Sequence, residues 1–416
     1  METAISIPIS SAMTSWIEIS GERLAENYRA IAQAAGADTS VLAVVKANAY
    51  GHGIELCSTV LARAGAPWLG VTSAAEGARV RRALTEAGIA PAAQPAILVM
   101  CGFTQQDVEA LAEHALTPVV WTPEQVGWLE GSGLAVHVEV DTGMARQGVR
   151  PGAELDDLLD ELSAAGLALD GLMTHFCAAE VAHSQLTQTQ QRRFEAAIRQ
   201  LLARGLSPNW VHAGSSSSVD NPAQPSPWLV DLARSVGARA MVRCGCALYG
   251  YCVPIDGPAA SSVQPKLRPA LRPVMTWKTR VMDLRDLPAG ETVGYNATFT
   301  APAPMRLALL PVGYADGLRR ELSGADARPG GWVILHTRDG SAQRAPIVGR
   351  VSMNLTLVDV TGLPGVCIGD EVVVLGDGIT ADDHARLAAT IPYEILCAVR
   401  AGQQAIRGHA GAAATS

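Results

Sequence analysis

The sequence predicts an α/β fold class: a (β/α)8, TIM-like barrel followed by a mostly β C-terminal domain. Three observations carry this. Apolar runs of strand length alternate with Ala- and Leu-rich helical stretches through about the first 250 residues. The texture then breaks at Val253 to Pro269 (VPIDGPAASSVQPKLRP), a Pro-, Ser- and Gly-rich stretch that reads as a linker. Beyond it come short β-type runs separated by Gly, Pro and Asp. The domain limits that follow are 14–252 for the barrel and 269–410 for the β domain.

In chain order, the barrel strands are expected at Val41–Val45, Trp68–Thr72, Ala96–Met100, Pro118–Trp121, Ala135–Val140, Leu169–Thr174, Trp210–His212 and Ala238–Arg243. Helix-like segments fall between them at Gly53–Ala64, Ala74–Ala87, Gln105–His114, Leu155–Ala165 and Thr187–Arg204. Strands that are apolar on both faces and separated by helices are parallel strands with crossover helices. Eight such units in roughly 230 residues suit a closed barrel, and no Gly-x-Gly-x-x-Gly follows the first strand to favour a doubly wound sheet. In the second domain, strands are expected at Val274–Leu284, Arg306–Pro311, Gly331–His336, Ala345–Val348, Leu355–Val360 and Glu371–Leu375. One late helix is expected at Ala381–Ala389, opened by Thr380 and Asp383 at capping-box spacing. The tail AGAAATS is expected to fray.

At 48% hydrophobic and 17% charged residues, the 416-residue chain can bury sizeable cores. Its net charge of -8 argues against a general nucleic-acid binder but not against a small anionic ligand, because a pocket can be locally positive. METAISIPISSAMTSWIEIS contains neither a basic start nor a long apolar run, and no stretch is long enough for a membrane span. The eight cysteines are scattered without a Cys-x-x-Cys pair, so neither a metal site nor a disulfide framework is expected. The expectation is a cytoplasmic protein without membrane or nucleic-acid partners.

In such a barrel the chemistry lies where strands end. There the sequence places Lys46 after strand one, Arg146 after strand five, His175 after strand six, Ser215–Ser218 after strand seven, and Arg243 with Gly245 at strand eight. A lysine following an apolar strand is partly desolvated and becomes a nucleophile, although a lone lysine there more often snorkels to solvent. A serine run alone is a polar loop, and a lone glycine is a turn residue. Arg243 inside an apolar strand is harder to set aside, because a buried guanidinium needs an acceptor. Amine, phosphate loop and buried cation together suggest pyridoxal phosphate. An arginine beside the ring nitrogen does not readily give up a proton, which weakens the electron sink and favours simple proton removal and return.

The strings AVVKANAYGHG, DTGMARQG, THFCAAE, HAGSSSS, RCGCALYG, VGYNATFT, PVGYADG, VGRVSMN and IPYE resemble, in order and over nearly the whole chain, those of the alanine racemase family. The resemblance implies pyridoxal 5'-phosphate, a homodimer with shared active sites, and D-alanine production for peptidoglycan. It implies that Lys46 carries the cofactor and serves as the base facing the D-enantiomer, while Tyr295, across the dimer, faces the L-enantiomer. It places Arg146 and His175 in the polar network around Tyr295 and the substrate carboxylate. Tyr50, Ser216, Gly245, Cys246 and Tyr393 match phosphate contacts, His212 packs near the pyridine ring, and Arg243 meets its nitrogen. Tyr314 and the Met353 backbone match the substrate entrance and carboxylate site.

Three departures bear on specificity and support, one of them Ser215, which stands where an Asn is common. Glu139 stands where many members carry a carbamylated lysine, and is expected to position Arg146 directly. Asn354 and Leu355 replace the usual Asp-Gln after Met353, which leaves open a broader, serine-directed or basic amino-acid racemase. A pyridoxal-phosphate decarboxylase of similar architecture leaves Tyr295 unexplained. A non-catalytic cofactor carrier leaves the second domain unexplained.

Overall fold

The computed structural model describes residues 15–223, 226–337, 340–401 and 404–407. The first fourteen residues, the tail AGAAATS and the outer domain limits 14 and 410 lie outside them. The chain divides into two compact units: Leu24–Arg272, and a second that joins the described residues up to Arg23 to those from Pro273 onward.

The first unit is a closed barrel of eight parallel strands: Thr39–Val44, Trp68–Val71, Ala96–Val99, Leu116–Val120, Ala135–Glu139, Ala168–Met173, Trp210–His212 and Arg239–Cys244. It closes by pairing Thr39–Ala43 with Ala240–Cys244. Strand residues such as Val41, Leu42, Ala43, Leu69, Ile97, Leu98 and Val138 are at most 2% exposed, which is why both faces read apolar. Each such burial is worth roughly 1.5–3 kcal/mol for a Val- to Leu-sized side chain. The crossover helices carry their own start signals. Ser73 accepts from the Glu76 amide before Ala74–Glu86, and Thr122 with Gln125 caps Pro123–Leu129 reciprocally.

The second unit holds a six-stranded sheet in the order Ala342–Pro346, Trp332–His336, Glu371–Leu375, Met275–Arg280, Ser15–Ser20, Gln404–Arg407. A three-stranded sheet of Asp283–Leu287, Met305–Leu310 and Thr356–Asp359 and a ribbon of Thr292–Val293 with Phe299–Thr300 complete it. Within the six-stranded sheet, buried Lys278 is satisfied by Glu18 at 3.1 Å and Glu371 at 2.7 Å.

Three expectations are corrected here. The single strand Val274–Leu284 is two, because Val281 still donates to Asp370 while Met282 donates to Leu309, so the chain changes sheets between them. The late helix Ala381–Ala388 has its Thr380–Asp383 box, but it is followed by a second helix, Pro392–Ala398. The barrel domain, expected over 14–252, does not include strand Ser15–Ser20, which joins the six-stranded sheet because it pairs antiparallel with Met275–Arg280 and parallel with Gln404–Arg407.

Candidate active site

Barrel strand one ends at Val44, and the half-buried Lys46 follows at the rim. The chain then winds the wrong way: Ala47, Asn48, Ala49 and Tyr50 all have φ between 53° and 55°. Left-handed backbone costs about 1–2 kcal/mol per L-residue, so the turn stands only because its surroundings over-determine it. Asn48 donates its amide to Glu76, and its side-chain oxygen accepts from the Ile54 amide and Arg79. His52 Nδ1 lies 3.0 Å from the carbonyls of both Ala49 and Tyr50. The turn carries the Tyr50 ring to 4.9 Å from Tyr249, whose hydroxyl donates to the Val44 carbonyl.

Tyr50 is thereby brought against Gly245, where a Cβ would collide with the tyrosine hydroxyl. Gly245 follows strand eight and opens the turn Cys246–Tyr249, while Ser216 starts the turn Ser216–Asp220 after strand seven. The two turns meet, since the Ser216 hydroxyl accepts from the amides of Gly245 (3.1 Å) and Ala247 (3.3 Å). Two hydroxyls and two turn N-termini around a glycine cradle suit a phosphate group, and a half-buried amine stands at the same rim. The donor set fits pyridoxal phosphate.

Arg243 lies behind them, 5% exposed. It donates to the Thr174 carbonyl (2.7 Å), to His175 Nδ1 (3.0 Å) and to His212 Nδ1 (3.4 Å). Burial pushes the guanidinium down to about 10, with Glu139 holding it up. His175 is pushed down to about 3 by burial and then by the charges of Arg243, Arg146 and Lys46, so all three cations act on one neutral imidazole. His212 is fully buried and held well below its ordinary value, by burial first.

Arg146 sits on a preformed loop. Asp141 Oδ1 accepts from the amides of Gly143, Met144 and Ala145, and the Asp141 amide donates to Val149. The expectation that Glu139 positions Arg146 directly is corrected. The hydrogen bond to the Glu139 carboxylate comes from the next residue, Gln147 (2.5 Å), and Arg146 reaches Glu139 through its charge.

The remaining expected residues lie on the β unit. Tyr295 is 67% exposed, Met353 56% and Tyr314 44%, while Tyr393 is half-buried in the second late helix. The segments that carry the first three are neighbours: Tyr314 and Ala315 donate their amides to the carbonyls of Ser352 and Met353, and Gly294 abuts the Arg350 backbone. Sequence reasoning missed His137, Asp170 and Thr174 inside the barrel, and Asn48 and Glu76 beneath the turn. A histidine and an aspartate interrupting apolar strands (AVHVEV, LALDGLM) were the available signal.

Among the described residues no helix is long and apolar enough to cross a membrane. The eight-stranded barrel with its β unit, and the relatives the chain matches, place it among the amino-acid racemases, a class of isomerase. Family models for the alanine racemase N-terminal and C-terminal domains match residues 19–253 and 274–406. The chain belongs to the alanine racemase family. It is 31% identical over 405 residues to an alanine racemase of Methylacidiphilum infernorum, covering 95% of this chain and 93% of that one. It is 34% identical over 397 residues to that of Syntrophobacter fumaroxidans, covering 92% and 95%. Among solved structures, alanine racemase from Streptomyces coelicolor superposes with a TM-score of 0.80 at 28% identity, covering 95% of this chain and 98% of its own. The Bacillus anthracis enzyme with bound L-Ala-P gives 0.76 at 28% identity, covering 93% of both chains.

Proposed function

We propose that this chain interconverts L- and D-alanine with pyridoxal 5'-phosphate, through two bases supplied by two subunits of a cytoplasmic homodimer, and so provides D-alanine for peptidoglycan. The observation that carries the reading is Arg243: a donor-only cation, buried at the rim and bonded to His175 and His212 beside the Gly245 cradle. Lys46, Tyr50, Ser216, Tyr393 and the amides of Gly245 and Cys246 would hold the cofactor, with His212 and Arg243 toward its ring. When bound, the cofactor supplies an electron sink that acidifies the substrate Cα–H.

The chain's own groups divide the remaining work. Lys46 Nζ holds or returns the proton on one face, and Tyr295 Oη on the other, because inversion needs a base on each side of a planar centre. His175, kept neutral, can take a hydrogen bond or pass one on without adding a charge near Tyr295. Arg146 and the Met353 backbone bind the substrate carboxylate, Tyr314 borders the entrance, and Glu139 supports the Arg146 loop. Partner supply of Tyr295 is supported by its exposure together with that of Tyr314, Met353 and Leu355 in adjoining segments, which a second copy would cover.

The test is a racemisation panel over L-Ala, L-Ser, L-Lys and L-Arg with variants. Tyr295→Phe should lower alanine racemisation by at least about 100-fold while keeping the bound-cofactor absorbance. Equal loss of both would make Tyr295 structural. Mixing inactive Lys46→Ala and Tyr295→Phe subunits should restore about a quarter of wild-type activity if sites are shared; no recovery after verified subunit exchange counts against sharing. Asn354 and exposed Leu355 remove a charge and an amide next to Met353, which favours a broader range, and comparable rates on L-Ser or L-Lys would establish it.

A further inference from the structure

A polar line runs from the rim through the barrel core. His212 Nε2 is 2.9 Å from His137 Nδ1, and His137 Nε2 is 3.2 Å from Asp170 Oδ2. With Arg243 on His212 Nδ1, four residues from four consecutive strands form one chain. Asn209, just before strand seven, donates to Asp170 Oδ1 at 2.7 Å. Arg239, which opens strand eight, stacks at 3.8 Å over Trp210. The line therefore starts at the rim and ends among residues where strands begin.

Its direction is forced. Arginine has no acceptor and a carboxylate no donor, so His212 must offer a bare Nδ1 to Arg243 and its Nε2–H to His137. His137 then passes its own Nε2–H to Asp170. Both imidazoles are 0% exposed, and burial holds each below its ordinary value, so each is neutral in the same tautomer.

The place for His137 is built. A Cβ on Gly171, the neighbouring residue on strand six, would lie 2.5 Å from His137 Nδ1. Gly171 does not have a left-handed φ, so glycine serves here for room alone. Trp68 flanks the ring at 5.3 Å. Barrel interiors are ordinarily filled by branched apolar side chains, and two buried imidazoles carry a desolvation cost that such filling avoids.

We propose that His137 and Asp170 are positioning residues that act through His212 to hold Arg243 oriented, charged and unwilling to release a proton toward the cofactor ring. The carboxylate at the far end fixes the donor direction along the line. A fixed bare Nδ1 on His212 then fixes the guanidinium plane. The inference rests on the reading of Arg243 given under Proposed function.

Asp170→Leu, with Asp170→Glu as the conservative variant, tests it by two independent readouts. Nitrogen-15 NMR of histidine-labelled protein without cofactor should show His212 and His137 as Nε2–H tautomers in the wild type, and a mixture at His137 in Asp170→Leu. In the loaded enzyme, Asp170→Leu should shift the visible band of the cofactor and lower kcat roughly tenfold, with KM for alanine unchanged. Asp170→Glu should restore band and kcat. Wild-type tautomers, band and kcat in a folded Asp170→Leu protein would overturn the proposal, as would an equal loss of kcat in Asp170→Leu and Asp170→Glu. A wild type that takes up no pyridoxal phosphate would instead sink the functional reading, leaving the tautomer result to judge the donor line.

Discussion

Glu139 shows how one carboxylate can serve binding at the expense of stability. It is 3% exposed, and burial raises its pKa against the Gln147 hydrogen bond and the charges of Arg243 and Arg146. An acid whose folded pKa lies above its unfolded value destabilises the fold above that pKa, and the penalty is relieved as pH falls through it. Glu139→Gln removes the penalty but also the negative charge facing two arginines. The expected outcome is a higher urea midpoint at pH 7 together with a several-fold higher KM for alanine, read with bound cofactor intact. A lower midpoint with unchanged KM would remove Glu139 from the Arg146 support. The residue was legible in the sequence as a charge at the right place. Its partner was not, because whether Arg146 or Gln147 turns inward depends on the Asp141 loop and on Gln147 reaching the Met100 carbonyl.

The element that most defied local reading is the left-handed turn after Lys46. Ala-Asn-Ala-Tyr has no glycine to announce positive φ, and alanine suggests an ordinary helix. Only tertiary partners, Glu76 and Arg79 on helix Ala74–Glu86, make the conformation stable. Ala47 is exposed and at φ 54°, so Ala47→Gly relieves strain without losing packing. It should raise thermal stability by about 1 kcal/mol and hasten cofactor release as the Lys46 anchor loosens. A comparable loss of stability would mean that the turn is not strained. Barrel strands, by contrast, were legible to within a few residues, since burial on both faces leaves unbroken apolar runs. The second late helix escaped because Pro392–Ala398 is too short for a helical period to show. Asp170 and His137 escaped because their pairing joins different strands.

For the molecule as a whole, buried histidines set the acid limit. His52 in the barrel unit and His384 in the β unit are both pushed down to about 4, by burial first. A histidine depressed in the fold stays neutral while its unfolded counterpart takes up a proton. Stability is therefore intact above about pH 6.5 and falls as pH drops toward 4. Each should withdraw about 2 kcal/mol by pH 5. Urea unfolding at pH 7 and pH 5 measures this, and His52→Gln and His384→Gln should flatten the dependence. A pH-independent midpoint over that range would contradict it. Carboxylates with lowered values, such as Asp141 and Asp383, contribute loss only below the ordinary aspartate range.

The strand Ser15–Ser20 also sets a timetable for synthesis. It lies in the interior of a six-stranded sheet, yet its neighbour Met275–Arg280 follows only after the whole barrel. Ribosomes add about 5–20 residues per second, so an interval of about 250 residues lasts roughly 12–50 s. Throughout that time Trp16, Ile17 and Ile19, each at most 3% exposed in the finished fold, have no sheet to enter. The barrel can close on schedule while Ser15–Ser20 waits with open edges, a segment of the nascent chain exposed to mispairing.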